Sequence, residues 1–435
     1  MKNRIVFESK LASYPASARE LAILTKNSLS WLDRGVKQQL NLDDVVGTSL
    51  VNCGGDLQPC LLVSAYPKKF GLLGKKQRRV LQEYYFTCAD LASTKQWQKA
   101  IDNTLIGQPI KTAIQHRHLQ IVINPNSGQR KAVKIFARVR SLFDRANLSY
   151  AVTETSSAQD TKNLVRNLNL EKIDGLVIVG GDGTIHDAIA SLMSRSDSKT
   201  AIELPIGVIP GGTGNGLCKS LLESAGESYN PLNAAFIIAK GRQKSFDLAW
   251  VVQNDKQYYS FLSLAWGLVS DIDIESEIIR FFGALRFYLY ALFLMCIKRT
   301  YKGRFSFVSH PNCKHFQEQY HMDWQVIEDD FLFVWAVNTP WAAYDMNVTP
   351  YARLNDGAID VLVMRQGTPR LEILKALLLC GKGKHIDLPH MEYYKISAFK
   401  LEPLTNKGIL VVDGELTNYS PIEMKVIPNL ARVNC

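Results

Sequence analysis

The chain has 435 residues, enough for two or three domains with cores of their own, and its 46% hydrophobic content fits a soluble globular protein. Eight cysteines are scattered from Cys53 to Cys435 with no CxxC pair and no zinc-spaced histidines, which argues against a disulfide framework or a metal knuckle and for a reducing, cytosolic compartment. A net charge of +10 and a pI near 9.1 favour an anionic partner, whether nucleotide, acidic membrane face or nucleic acid, without choosing among them.

The N-terminus lacks the apolar stretch of a signal peptide, and Cys435 is in the wrong place for a C-a-a-X box, so neither a secretion signal nor a lipid anchor is expected. Residues 1–113 show short β-like runs at Val45 to Val51, Cys60 to Ala65 and Val80 to Thr87, then a helical segment from Asp90 to Ile101 around Trp97. Strands closed by one helix resemble a pleckstrin-homology-like module, a likeness of shape and not of motif. The intervening loop carries Lys68, Lys69, Lys75, Lys76, Arg78 and Arg79. Near an anionic leaflet each would add about 1 kcal/mol of attraction, and the alternative is an ordinary solvated hairpin loop.

Residues 114–248 alternate strand, glycine turn and helix: strands at 119–123, 148–153, 174–179 and 205–209, helices at 131–145, 158–168, 184–194 and 216–222. This pattern predicts a doubly wound α/β domain, with any ligand at the carboxyl ends of its strands. Residues 249–435 turn to strands, at Tyr258 to Trp266, Gly303 to Ser309, Asp330 to Asn338, Ala358 to Arg365, Tyr393 to Leu401 and Gly408 to Asp413, after a strand from Lys244 to Val252 that leads out of the α/β part. They predict a separate, mostly antiparallel β domain, read as a β-sandwich. The apolar stretch Phe281 to Ile297 is interrupted by Gly283 and Arg286, too short to span a bilayer, and reads as a buried or interfacial helix pair that could enclose an apolar ligand, or simply as core.

Three apolar strands end in glycine-rich turns, Asn124-Pro-Asn-Ser-Gly128, Gly180-Gly-Asp-Gly-Thr184 and Pro210-Gly-Gly-Thr-Gly-Asn-Gly216. Glycine there lets backbone N–H groups approach phosphate oxygens, and three such turns together suggest a phosphate site although no P-loop or dinucleotide fingerprint is present. Asp182, flanked by glycines, is placed to orient a reacting hydroxyl and take its proton late; the alternative is an aspartate capping the helix at Thr184.

These turns together resemble the diacylglycerol kinase catalytic domain of lipid kinases. The segment Leu262-Ser-Leu-Ala-Trp-Gly-Leu-Val-Ser-Asp-Ile-Asp-Ile-Glu-Ser-Glu277, with Arg280 and Arg286 after it, and the runs Ile396-Ser-Ala-Phe-Lys-Leu-Glu-Pro403 and Val412-Asp-Gly-Glu415 are similar to sphingosine kinases. The resemblance covers about residues 118–433. It implies an ATP- and Mg²⁺-dependent kinase acting on the primary hydroxyl of a sphingoid base, with Asp182 activating that hydroxyl. It implies nucleotide contacts at Asn124, Asn126, Gly183, Thr213, Glu277, Arg280, Arg286, Asp413, Gly414 and Glu415, and lipid head-group contacts at Asp273, Asp271 and Ser263. No metal ligand is assigned.

A carboxylate such as Asp273 beside an apolar pocket would pair with an ammonium, favouring amine substrates over ceramide or diacylglycerol; without the resemblance, Asp271 to Glu277 would read as a solvated acidic loop. Arg280 and Arg286 would clamp the β- and γ-phosphates, or serve as surface ion-pair partners. Two departures stand out: Gly180 where sphingosine kinases commonly have serine, and Asp187 where glutamate is usual. Ceramide kinase and diacylglycerol kinase are the alternatives within the class, and the former's CxxxCxxC segment is missing. A catalytically silent lipid-binding adaptor is the alternative outside it. No nucleic-acid-binding module is recognised. The expected location is cytoplasmic, with peripheral recruitment to membranes.

Overall fold

The computed structural model describes residues 4–15, 18–54, 58–70, 77–109, 116–276, 278, 285–297, 299–311 and 323–435. The N-terminal part is a seven-stranded antiparallel sheet in the order Val36–Asn41, Ser28–Asp33, Glu20–Thr25, Ile5–Ser13, Gln82–Thr87, Gln58–Ala65, Val45–Cys53. The helix Leu91–Leu105 closes it, capped by the Asp90 carboxylate on the Ser93 N–H and burying Trp97 against Phe7 and the sheet. Four of these strands precede those expected from the sequence. They were hidden because runs such as Val36–Asn41 are almost wholly exposed and carry little apolar alternation.

The predicted parallel strands and the helices between them are present. Parallel strands Ser149–Glu154, His118–Ile123, Gly175–Gly180 and Ile206–Pro210 lie side by side, the last two buried along their whole length as a sheet covered on both faces requires. Their helices are Ala132–Arg145, Ala158–Arg166, Asp182–Met193 and Gly216–Ser224, with Pro231–Lys240 added beyond the sequence reading. This last helix begins on an Asn230 cap with proline in its first turn and ends on Gly241 at φ +67°, start and stop signals that the sequence did contain.

The expected boundary near residue 248 falls inside one continuous strand, Gln243–Gln253. The final strand, Ile422–Asn434, pairs antiparallel with it and with Glu392–Pro403, and parallel with Ile206–Pro210 at Ile206 and Val433. The α/β and β-rich halves therefore share a single 14-stranded sheet. Around Trp266, Phe305, Phe331 and Phe399 the antiparallel strands Ser263–Gly267, Tyr301–Ser309, Gln325–Val337, Ile359–Arg365 and Glu392–Pro403 enclose a second core.

The helix Leu285–Ile297 turns Ala291 and Leu294 inward, the latter into the buried cluster that also holds Leu268, Phe333 and Ile373, and leaves Leu289, Leu292, Phe293 and Ile297 exposed. The expected helix pair is thus, over its described part, one helix with an apolar outer face; Phe281 and Phe282 lie outside the described residues. Among the described residues no helix is long and apolar enough to cross a membrane.

Candidate active site

The three glycine turns meet at the carboxyl ends of adjacent parallel strands. In the first, the Asn124 side chain accepts from the Asn126 N–H at 3.1 Å and donates to Thr184 Oγ1 at 3.1 Å, tying turn one to turn two. Turns two and three touch backbone to backbone. Gly211 N–H donates to the Gly180 carbonyl at 2.8 Å, and a Cβ on Gly212 would lie 2.3 Å from the Gly181 Cα, a clash no side chain survives. Turn three is locked by Asn215, whose left-handed backbone (φ +56°) lets its amide bond both the N–H and the carbonyl of Gly212, at 2.9 and 2.7 Å.

Asp182 is the first residue of its own helix, after Gly181, but its side chain does not cap that helix. It reaches across to the third turn, where Oδ2 accepts from the Gly216 N–H at 3.0 Å and Oδ1 from the Leu217 N–H at 3.4 Å. The catalytic candidate therefore caps the neighbouring helix Gly216–Ser224. Burial pushes its carboxyl up to about 6, the Gly216 and Leu217 N–H groups oppose the shift, and the Asp413 charge adds to it. Such a carboxylate is a better proton acceptor near neutral pH than an ordinary aspartate.

Asp413 and Gly414 have φ of +52° and +83° and form the two-residue turn of a hairpin, Val412 pairing with Glu415. The Asp413 carboxylate is buried and accepts five bonds: from the N–H groups of Phe261, Leu262 and Ser263, from Ser260 Oγ and from His186 Nδ1. Its oxygens are given to internal donors, so Asp413 shapes the site from beneath. This also explains why the strand expected from Tyr258 to Trp266 breaks into Lys256–Ser260 and Ser263–Gly267, since Phe261 and Leu262 turn their amides to the carboxylate. Glu415 is exposed, with Oε1 3.6 Å from where a Cβ on Gly183 would stand. Gly183, Thr213, Gly414 and Glu415 thus present an exposed rim, with Asn126 exposed on the first turn.

His186 was missed at the sequence level, although its i+4 spacing from Asp182 puts both on one helix face. Burial lowers its pKa, but the Asp413 hydrogen bond and charge outweigh that, and the net shift is upward. Asp187, the second departure, pairs with Lys162 at 3.0 Å.

Of the expected head-group residues, Ser263 is half-buried beside Asp413, and the helix Leu268–Glu275 carries both aspartates. Asp271 is buried against the Tyr301 hydroxyl, which donates to it, with Arg299 at 3.7 Å. Burial pushes Asp271 up to about 6, with Tyr301 and Arg299 lowering it and Glu275 raising it. Asp273, two residues on, falls on the opposite side of the helix and is half-buried. Glu277 and Arg280 lie outside the described residues, and Arg286 is placed only by its backbone in the helix Leu285–Ile297.

The basic hairpin differs from a free cationic loop. Lys69 and Arg78 are exposed, but Arg79 is buried with Glu227 and Asp44, and Lys68 also reaches Glu227. Lys75 and Lys76 lie outside the described residues.

Glycine turns at strand ends, meeting around one carboxylate that caps a helix N-terminus, form an arrangement suited to phosphoryl transfer without a P-loop. Residues 118–251 match the diacylglycerol kinase catalytic domain, and residues 293–435 match the YegS C-terminal NAD kinase beta sandwich-like domain. Sphingosine kinase 1 of Arabidopsis thaliana is 33% identical over 92% of this chain and 84% of its own. Sphingosine kinase 1 of Homo sapiens is 30% identical over 71% of this chain and 88% of its own. A crystal structure of a putative diacylglycerol kinase from Bacillus anthracis shares the fold, with a TM-score of 0.57 at 20% identity over 74% of this chain and 97% of its own. The chain belongs to the sphingosine kinase family of lipid kinases.

Proposed function

We propose that the protein transfers the γ-phosphoryl group of ATP to the primary hydroxyl of sphingosine and related sphingoid bases, giving sphingosine 1-phosphate. The observation that carries this is Asp182: a carboxylate with its pKa raised to about 6, at the junction of the glycine turns, held from behind by two N–H groups and with lone pairs left for a hydroxyl. Asp182 accepts the hydroxyl's hydrogen bond, orients its oxygen in line with the γ-phosphorus and receives the proton as the new O–P bond forms and the bond to the β,γ-bridging oxygen breaks, releasing ADP.

Nucleotide phosphates fit the exposed turn backbone around Gly183 and Thr213, with Asn124 and Asn126 on one side and Gly414 and Glu415 on the other; Glu277, Arg280 and Arg286 are proposed to complete the contacts. Mg²⁺ would be carried on the phosphates, within reach of the exposed Glu415 carboxylate, whose Oε1 lies 3.6 Å from a Cβ placed on Gly183. Bound there, Mg²⁺ would neutralise phosphate charge.

Asp273 is proposed to pair with the ammonium of the base. Asp271, held by Tyr301 and Arg299, and Ser263, held by Asp413, would support the head group from behind. The N-terminal sheet and helix are read as a pleckstrin-homology-like module, residues 1–113, ahead of a catalytic part at 114–248 and a lipid-binding part at 249–435. Exposed Lys69 and Arg78, with the apolar outer face of Leu285–Ile297, support peripheral recruitment of a cytoplasmic enzyme to an anionic membrane.

The test is incubation of the purified protein with labelled ATP·Mg²⁺ and sphingosine, ceramide or diacylglycerol in parallel, with Asp182→Ala as control. Label on sphingosine, lost in the variant, is expected. Label on ceramide or diacylglycerol instead overturns the substrate, and ATP binding without transfer to any lipid overturns the activity.

A further inference from the structure

The helix whose N-terminus holds Asp182 is clamped at its other end by the N-terminal module. Gly216–Ser224 is nine residues, about 13 Å long, and Gly226 and Glu227 finish it through N–H bonds to the Glu223 and Leu222 carbonyls at 2.9 and 2.7 Å. Glu227 is 8% exposed. Its Oε1 accepts from Arg79 Nη2 at 2.7 Å and meets Lys68 Nζ at 3.0 Å, while that same ammonium donates to the Gly226 carbonyl at 2.7 Å. Arg79 is equally buried, donates also to Asp44 and the Tyr66 carbonyl, and lies 3.6 Å over the Phe236 ring.

Two residues beyond Glu227, Tyr229 stacks on Tyr344 with ring centroids 5.5 Å apart, and the Tyr344 N–H donates to the Gly214 carbonyl at 2.8 Å. A Cβ on Gly214 would stand 3.0 Å from Asp182 Oδ2. The segment anchored by Glu227 thus reaches the catalytic turn twice, through the helix and through the tyrosine stack.

We propose that Glu227 is a positioning residue for phosphoryl transfer: by fixing the end of the Gly216–Ser224 helix to Arg79 and Lys68, it sets where the helix N-terminus holds Asp182. The N-terminal module is by this reasoning a working part of the catalytic site. A short helix moves as a rigid body, so a displacement at its C-terminal end is passed to Gly216 and Leu217, and a shift of about 1 Å in a catalytic group is enough to cost on the order of 100-fold in rate. Removing one member of a buried pair leaves an unpaired charge that the segment must move to solvate. The inference rests on the phosphoryl-transfer reading of the Asp182 site.

The test compares full-length Glu227→Gln, Arg79→Met and their double variant with the parent in steady-state kinetics, melting and amide hydrogen exchange. The expected result is a roughly 10- to 100-fold loss in kcat with KM for sphingosine within about twofold. The double variant is expected to be no slower than the slower single one, and exchange at Gly214 to Leu217 faster. A lower melting temperature with kcat of the folded enzyme and exchange at the turn both unchanged would overturn it. Lys68→Met removes the partly exposed partner and keeps the test decisive if the other variants fail to fold: unchanged kcat and unchanged exchange at the turn would again refute the clamp. If the parent phosphorylates no lipid, the function proposed above fails, while the exchange comparison still decides whether Glu227 holds the turn.

Discussion

His186 Nδ1 and Asp413 Oδ2 are 3.0 Å apart across 227 residues of sequence, and this pair joins the helix that begins with Asp182 to the hairpin of the β-rich half. Because Asp413 also takes three amides and the Ser260 hydroxyl, it is the point where the α/β and β-rich parts are held in register. Replacing Asp413 with alanine strands those donors, and a loss of roughly 2–4 kcal/mol in urea unfolding is expected. The His186 pKa is raised in the folded state, so the pair's stabilisation is full below the ordinary imidazole range and is lost as pH rises through the raised value. Part of the fall in melting temperature above pH ~6.5 should therefore disappear in His186→Gln.

Asp182→Asn keeps an acceptor for the Gly216 amide but no base. A drop in kcat of about 10²- to 10⁴-fold is expected with ATP binding retained, measured by turnover and nucleotide titration. In the parent, kcat should fall as pH drops through about 6, because the protonated carboxyl no longer accepts the hydroxyl's proton. Stability has the opposite sign. A carboxylate raised above its unfolded value near ~3.9 costs the fold more as pH rises from there to about 6, so the asparagine variant should melt no lower than the parent at pH 7.5.

Asp102 offers the same test away from the site. Burial pushes it up to about 7, while Thr48 Oγ1 donates to it at 2.8 Å and lowers it in part. Asp102→Asn retains an acceptor for Thr48 and removes the charge. Above pH 7 this variant should gain roughly 2–4 kcal/mol in denaturant unfolding, a gain that vanishes near pH 4; unchanged stability at pH 8 would contradict it.

For substrate choice, Asp273→Asn should raise KM for sphingosine by about 10-fold or more, losing an ammonium partner, while narrowing the preference over ceramide and diacylglycerol. Parallel assays of the three lipids check this. An unchanged sphingosine KM would move amine recognition to another carboxylate.

The parallel strands and their turns were legible because fully buried runs such as Leu176 to Val179 have a composition few other contexts allow, and because glycine is required where backbones touch, as at Gly181 and Gly212. The pairing of Asp182 with a helix beginning 34 residues later was not legible: the local sequence suggests a cap for its own helix, and only the adjacency of strands Gly175–Gly180 and Ile206–Pro210 brings Gly216 into reach. His186 carried a signal, the i+4 spacing, but its partner Asp413 arrives from the far end of the chain. Arg79 read as one of six loop cations because charge patterning does not register a buried acceptor such as Glu227.

By itself the sequence determined the kind of chemistry and the local scaffold: glycine turns at strand ends, a carboxylate among them, and the strand and helix periods that build each layer, all set by interactions within a few residues. Tertiary structure alone decided how these parts cooperate. The last strand fuses the two halves into one sheet, Asp413 gathers amides from a distant loop, and Arg79 reaches Glu227 across 148 residues. Such contacts depend on which surfaces pack together and which charges are thereby buried, and those are properties of the folded chain as a whole.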